Sequence, residues 1–373
     1  MNPIYSIFSF LFLYNFIGGC GGGSKTPVDN LAIGESTMVE ETLETALPRG
    51  IISTSGKRKP VSQTILDNPN ITGFMVLDGW SDIEFSEGVY DWTHIDMEVA
   101  RAKVAGKVVR LAIHAGGDSA PKWIFENYPE VNQVIWYNKT TEATEWLPAY
   151  WDSSYVEIKN RFYQAVGERY KDEASIFAFS VSMIDPNTGD WTFAVETDEQ
   201  LQSYLDSGFS ETVFINAYKN LLDNAMAVFG SKYVVTAVGP IPRQLVSDSY
   251  DAVHQVLDYA YTSYGEKLII AKGSLNAATP SPAELIANNP WNTIFKYSPN
   301  AAAQFVWGVT NDPAFKMNGR NPYDSSEQKT IFWNAVLKGK SYNLRWIEPW
   351  AVDLDNSNLE DEIRNAAVLF SSD

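Results

Sequence analysis

Cysteine is almost absent: Cys20 is the only one in 373 residues. A single thiol excludes an intrachain disulfide and a cysteine-based metal site. Histidine is nearly as scarce. His94, His114 and His254 are three in number and far apart, which disfavours zinc. There is no glycine-rich phosphate loop, no H-E-x-x-H and no G-x-S-x-G elbow, so nucleotide, zincin and serine-hydrolase chemistry have no foothold. No cofactor and no metal is expected. Basic residues are outnumbered, 28 Lys and Arg against 46 Asp and Glu, for a net charge of −18. Without a local cluster of basic residues, that charge repels phosphate backbones and disfavours nucleic acid as a partner. The apolar stretch at residues 4–17 is too short to span a bilayer.

That short stretch runs into Ile17-Gly18-Gly19-Cys20, which matches the lipobox, aliphatic-x-(Gly/Ala)-Cys. Residues 1–20 therefore read as a lipoprotein signal with Cys20 as the lipidated residue, which implies a bacterial, membrane-anchored chain facing the periplasm or cell surface. Residues 21–47 are rich in Gly, Ser, Thr and Glu and read as a flexible tether.

From residue 48 to 373, apolar runs alternate with amphipathic stretches. The expected strands are 50–54, 73–77, 108–114, 176–183, 233–238, 267–272, 303–309 and 343–348. Helical spacing appears at 156–170, 213–229, 251–264 and 326–337, and 359–370 closes the chain. Strand–helix alternation argues for parallel strands, and eight is the number that closes a cylinder. The fold class is α/β, a single (β/α)8 TIM barrel without a second domain.

Residues 74–125 combine an apolar run, a polar aromatic loop, a helix pattern (Ile95, Val99, Ala102, Val104), a Gly106-Lys107 stop and a second apolar run. The order Trp80-Ser81-Asp82-Ile83-Glu84, Glu87-Gly88-x-Tyr90-Asp91-Trp92, Gly106-Lys107 and Pro121-Lys122-Trp123 resembles the β-galactosidase-like glycoside hydrolases with (β/α)8 barrels. Leu147-Pro148-Ala149-Tyr150-Trp151-Asp152, with Tyr155, Phe162 and Gly167-x-Arg169-Tyr170, resembles a second segment of the same enzymes. The two matches cover roughly the first half of the barrel.

The resemblance implies two carboxyl groups across a glycosidic bond, an acid after strand four and a nucleophile on strand seven. After strand four the chain reads Asp185-Pro186-Asn187-Thr188-Gly189-Asp190-Trp191. Asp190 is the preferred acid, because the flanking Trp191 would raise its pKa by desolvation; Asp185 is the alternate. Both stand where the relatives carry Glu, and the Asp side chain is shorter by one C–C bond, about 1.5 Å. Strand seven carries no glutamate, and Asp312 is the only carboxylate at its mouth. Strand eight offers Glu348, between Trp346 and Trp350, as a sugar contact or a displaced nucleophile.

Sugar-binding candidates follow from strand ends and from ring stacking on pyranose faces. They are Trp80, Asp82, His114, Asp118, Trp123, Trp151, Asp152, Asn187, Trp191, Trp307, Trp346 and Trp350, with the tryptophans expected together at one mouth. Glu84 is expected to be structural, and His94 and His254 to lie on helix surfaces. The function read from this pattern is hydrolysis of an oligo- or polysaccharide by two carboxylates. The alternative is a glycan-binding lipoprotein on a barrel that has lost the chemistry.

Overall fold

A computed structural model describes residues 47–115, 119–138, 142–181, 195–237, 239–287 and 289–371. The signal, Cys20 and nearly all of the tether lie outside the described residues. So do Asp118, Asp185, Asn187, Asp190 and Trp191.

Eight parallel strands close into a barrel. They are β1 (Gly50–Ser53), β2 (Gly73–Gly79), β3 (Val108–His114), β4 (Ile176–Ser180), β5 (Tyr233–Ala237), β6 (Leu268–Leu275), β7 (Ala301–Phe305) and β8 (Trp346–Glu348). Neighbours in sequence are neighbours around the cylinder, and β1 pairs with both β2 and β8. Each of the eight expected runs overlaps a strand, the seventh by only three residues. The sequence reading did not foresee two antiparallel hairpins, Glu84–Ser86 with Val89–Tyr90 and Gln133–Asn138 with Ala143–Pro148.

Helices Thr93–Ala105, Ser153–Tyr170, Glu211–Val228, Asp251–Tyr264, Gln328–Ser341 and Glu360–Ser371 follow strands β2, β3, β4, β5, β7 and β8. The first ends at Gly106, whose φ of 63° is left-handed and whose N–H bonds back to Ala102 and Lys103. Ile95, Val99 and Ala102 are buried on its inner face, whereas Val104 points to solvent at 91% exposure. Val104 is two residues from Ala102 and so falls on the opposite side of a 3.6-residue turn.

Period-two alternation decides what each strand gives to the barrel interior. On β8, Ile347 packs outward into the strand–helix core, while Trp346 packs inward with Ile52, Phe177, Val235, Ile269 and Ala302. Trp346 meets Phe177 edge-on at 5.5 Å and plugs the interior. One layer nearer the strand C-termini the inward residues include Ala112, Ala237, Ala271 and Gly273. These small side chains leave the upper interior open.

Asp353, just past β8, is fully buried and clamps the turn after β7: its carboxylate accepts from Val309 N at 3.0 Å and Thr310 N at 2.9 Å. Burial outweighs these bonds and raises its pKa to about 6. Between the unfolded pKa of about 4 and the folded value, the native state holds the extra proton. This contribution to stability is therefore full below about pH 4 and is lost as the pH rises through about 6, on the order of 2–3 kcal/mol. Thermal unfolding between pH 4 and 7 should show this slope in the wild type and a flatter one in Asp353→Asn; equal slopes would refute the assignment.

Candidate active site

The hollow above Trp346 has a volume of about 480 Å³ and opens at the C-terminal ends of the strands. Residues of the strands line it, among them Met75, Arg110, His114, Ser180, Lys272, Gln304 and Glu348. Active sites of (β/α)8 enzymes occupy this face.

Glu348 sits at its floor, 1% exposed. Its Oε1 accepts from Trp346 Nε1 at 2.6 Å and pairs with Arg110 Nη1, which reaches it across the interior from β3. The Arg110 Nε donates in turn to Ser180 Oγ at 2.9 Å. The other carboxylate oxygen, Oε2, has no hydrogen-bond partner among the described residues. One oxygen is thus fixed by two donors, and the second is buried without a partner among the described residues. Within the sheet, Gln304 of β7 is in register with Glu348 of β8. The inward carboxylate therefore stands one strand beyond the position that the family pattern implies.

The other expected carboxylates among the described residues do not join it. Asp312 accepts from Ala314 N at 3.3 Å, Met317 N at 2.7 Å and Tyr323 Oη at 3.3 Å, which makes it the organiser of a turn. Asp152 caps helix Ser153–Tyr170 through Ser154 N and Tyr155 N and also holds Asn132, so it is not a pocket wall. Asp82 pairs with Lys57 at 3.2 Å, and Lys57 lines the hollow. Asp78, at the end of β2, is buried with His94 Nδ1 at 3.0 Å and Arg58 at 3.8 Å; burial raises its pKa. His94 is therefore an interior residue and not a surface one. His114 lines the hollow as expected.

The tryptophans divide. Trp307 and Trp350 line the hollow, their rings 6.3 Å apart, and both continue into an adjoining groove over β1 and β8. Trp80, Trp123, Trp151 and Trp346 do not reach the mouth. Trp80 is fully buried, stacks on Phe162 at 4.8 Å and meets Trp123 edge-on. Its Nε1 donates to Glu84 Oε2 at 2.7 Å, Gly88 N donates to Glu84 Oε1 at 2.8 Å, and Trp123 Nε1 donates to the Glu84 carbonyl at 3.0 Å. The family-like spacing Trp80, Glu84, Gly88, Trp123 is thus one buried hydrogen-bonded knot that fixes the loop after β2. Trp151 donates to the Ser207 carbonyl and packs on Phe209.

Residues 71–211 match the family model described as beta-galactosidase. The resemblance to β-galactosidase-type glycoside hydrolases read in the sequence therefore holds over this stretch. No curated protein sequence matches the chain. Among solved structures, the catalytic domain of a β-amylase from Paenibacillus polymyxa is similar with a TM-score of 0.53 at 9% identity, over 83% of this chain and 94% of that one. β-Galactosidases from the psychrophilic Marinomonas ef1 and from Bacillus circulans sp. alkalophilus each give 0.51 at 12% identity over 86% of this chain. The chain spans 59% and 56% of those two proteins. At such identities the likeness is one of fold.

The sequence reading missed Arg110, Ser180, Lys272 and Gln304. A signal was there: Arg110 and Gln304 each interrupt an otherwise apolar strand at a position whose neighbours face outward, and Lys272 interrupts the apolar run of β6. Among the described residues no group of His, Cys, Asp and Glu could hold a metal ion, and no helix is long and apolar enough to cross a membrane.

Proposed function

We propose that this chain hydrolyses glycosidic bonds of an oligo- or polysaccharide, with Glu348 as one of two working carboxylates. The observation that carries the reading is the buried Glu348, with Oε1 tied to Arg110 and Trp346 and Oε2 unpartnered at the floor of an open hollow. The β-galactosidase family match over residues 71–211 supports it. So does the fold likeness to a β-amylase catalytic domain and to two β-galactosidases.

In the proposed reaction Oε2 attacks the anomeric carbon, or takes a proton from a water that does so. A proton passes to the leaving glycosidic oxygen from Asp190 or its alternate Asp185. Separations of about 5 Å between the two carboxyl groups go with a covalent glycosyl intermediate, and about 6.5–9.5 Å with direct attack by water. Trp307 and Trp350 offer aromatic surface for the apolar faces of sugar rings.

The test is a panel of oligosaccharides scored for both product release and binding, on the wild type and Glu348→Gln. Turnover by the wild type and its loss in the variant is the expected result. Affinity without turnover in the wild type would select the glycan-binding alternative. We further propose that Cys20 carries a lipid that anchors the chain. Metabolic labelling with a radioactive fatty acid should mark the wild type and not Cys20→Ala; label retained in the variant would sink the anchor.

A further inference from the structure

Two cations without an anionic partner among the described residues stand at one side of the hollow. Lys316 lines both the hollow and a shallow recess continuous with it, and that recess is closed by Asn276, Gly319 and Arg320. The Lys316 ammonium lies 4.2 Å from the centre of the Trp307 ring, beside the path into the hollow. Neither Lys316 nor Arg320 makes a side-chain hydrogen bond or ion pair among the described residues. Such pairs are common elsewhere, as in Arg169 with Asp96 and Lys296 with Asp258. In a chain of net charge −18 with acidic residues in large excess, these two cations lie close together at the mouth of the hollow.

The loop that carries them is built to hold them in place. Met317 is fully buried, and its N–H is held by Asp312 while its carbonyl accepts from Ala277 N at 2.9 Å. Arg320 N closes on the Phe315 carbonyl at 2.7 Å. Phe315 and Arg320 adopt left-handed φ values of 54° and 71°, which non-glycine residues avoid. Backbone held in that region persists only where its surroundings over-determine it, and it gathers at functional sites. Tyr323 adds bonds to the Val309 carbonyl and to Asp312.

We propose that the hollow takes an anionic carbohydrate, one bearing a carboxylate or a sulfate ester on the ring beside Trp307, with Lys316 and Arg320 receiving the charge. This rests on the reading of the hollow as a glycan site. A neutral sugar would need hydrogen bonds and stacking there but no pair of unneutralised cations. An acidic protein repels an acidic polymer at long range, so a local positive edge is what admits one. Guanidinium and ammonium together suit either anion: the planar fork takes two oxygens and the ammonium acts as a point charge.

The experiment is calorimetry on the full chain with four probes: a neutral galacto-oligosaccharide, an oligogalacturonide, a sulfated galactan oligosaccharide of matched length, and inorganic sulfate. At least one anionic oligosaccharide should bind about tenfold or more tightly than the neutral one, the scale of one charge-assisted hydrogen bond. That preference should shrink as salt rises from about 0.05 M to about 0.5 M. It should collapse toward unity in Lys316→Gln and Arg320→Gln, and the uronate and sulfate arms identify which anion is read. Equal or tighter binding of the neutral probe overturns the inference while leaving the hydrolase reading intact. So does a preference that both variants retain. Inorganic sulfate binding as tightly as the oligosaccharides overturns it too, as does binding by none of the glycans. An anionic preference without product release supports the inference and removes the hydrolase.

Discussion

Glu348→Gln should lower turnover by about 10²–10⁴-fold, the range for a positioned acid or base, with a much smaller change in glycan affinity. The amide keeps nearly the same shape and can still accept from Arg110 and Trp346 through its oxygen. What it removes is the negative charge at the floor of the hollow. A second effect accompanies the first. Arg110 is 6% exposed, and its ionic partner is Glu348, so the variant leaves a buried guanidinium without a counter-charge. Breaking a buried pair in this way costs up to about 3–5 kcal/mol. Activity must therefore be measured well below the variant's Tm, with circular dichroism alongside. Glu348→Ala adds a control: added azide should restore part of the activity and be recovered as a glycosyl azide if the carboxylate attacks carbon, whereas an anion that only replaces the counter-charge of Arg110 leaves no such product. Turnover within a few-fold of wild type in folded Glu348→Gln would remove Glu348 from the chemistry.

Trp80→Ala should destabilise the fold by about 3–5 kcal/mol, the cost of deleting a large buried aromatic. Trp80 is fully buried between Phe162, Trp123 and Tyr155, and its indole N–H satisfies a buried oxygen of Glu84. Removing it opens a cavity and strips that carboxylate of a donor, and both losses act in the folded state. Trp307→Ala should behave in the opposite way. That ring is partly exposed at the rim, so its loss should leave unfolding within about 1 kcal/mol of wild type. It should instead weaken glycan binding by about tenfold. Denaturant unfolding and calorimetry on the two variants separate the roles. A stable Trp80→Ala that fails to bind sugar would return that ring to the mouth.

These contrasts mark how far the sequence could be read. The barrel was legible because its strands are short apolar runs bounded by turn residues, and the pattern does not depend on which side chain faces where. The run at 108–114 coincides with β3 from end to end. The hairpins were not legible, since Gln133–Asn138 and Ala143–Pro148 sit inside a connection already assigned to strand–helix alternation. The site was legible in part. His114, Trp307, Trp350 and Glu348 were found by looking for polar and aromatic residues at strand ends. Trp80, Trp123 and Trp151 met the same criterion and yet are packed inside, because proximity to a strand end does not say whether a ring turns toward the axis or toward the helices. Arg110 and Lys272 are not acids and carry no family motif, yet a charge interrupting an apolar strand is a stronger mark of the site than nearness to a strand end.

The register of β7 against β8 has a geometric corollary. A carboxylate on β8, in line with Gln304 on its neighbour, is displaced around the axis by one stave, about 45° in an eight-stranded cylinder. If Glu348 is a working carboxylate, as proposed, the line of attack on a glycosidic bond turns with it. In the proposed hydrolysis a polymer would cross the opening along a different chord from the one that a β7 carboxylate would dictate, with Trp307 and Trp350 among the residues lining the hollow there.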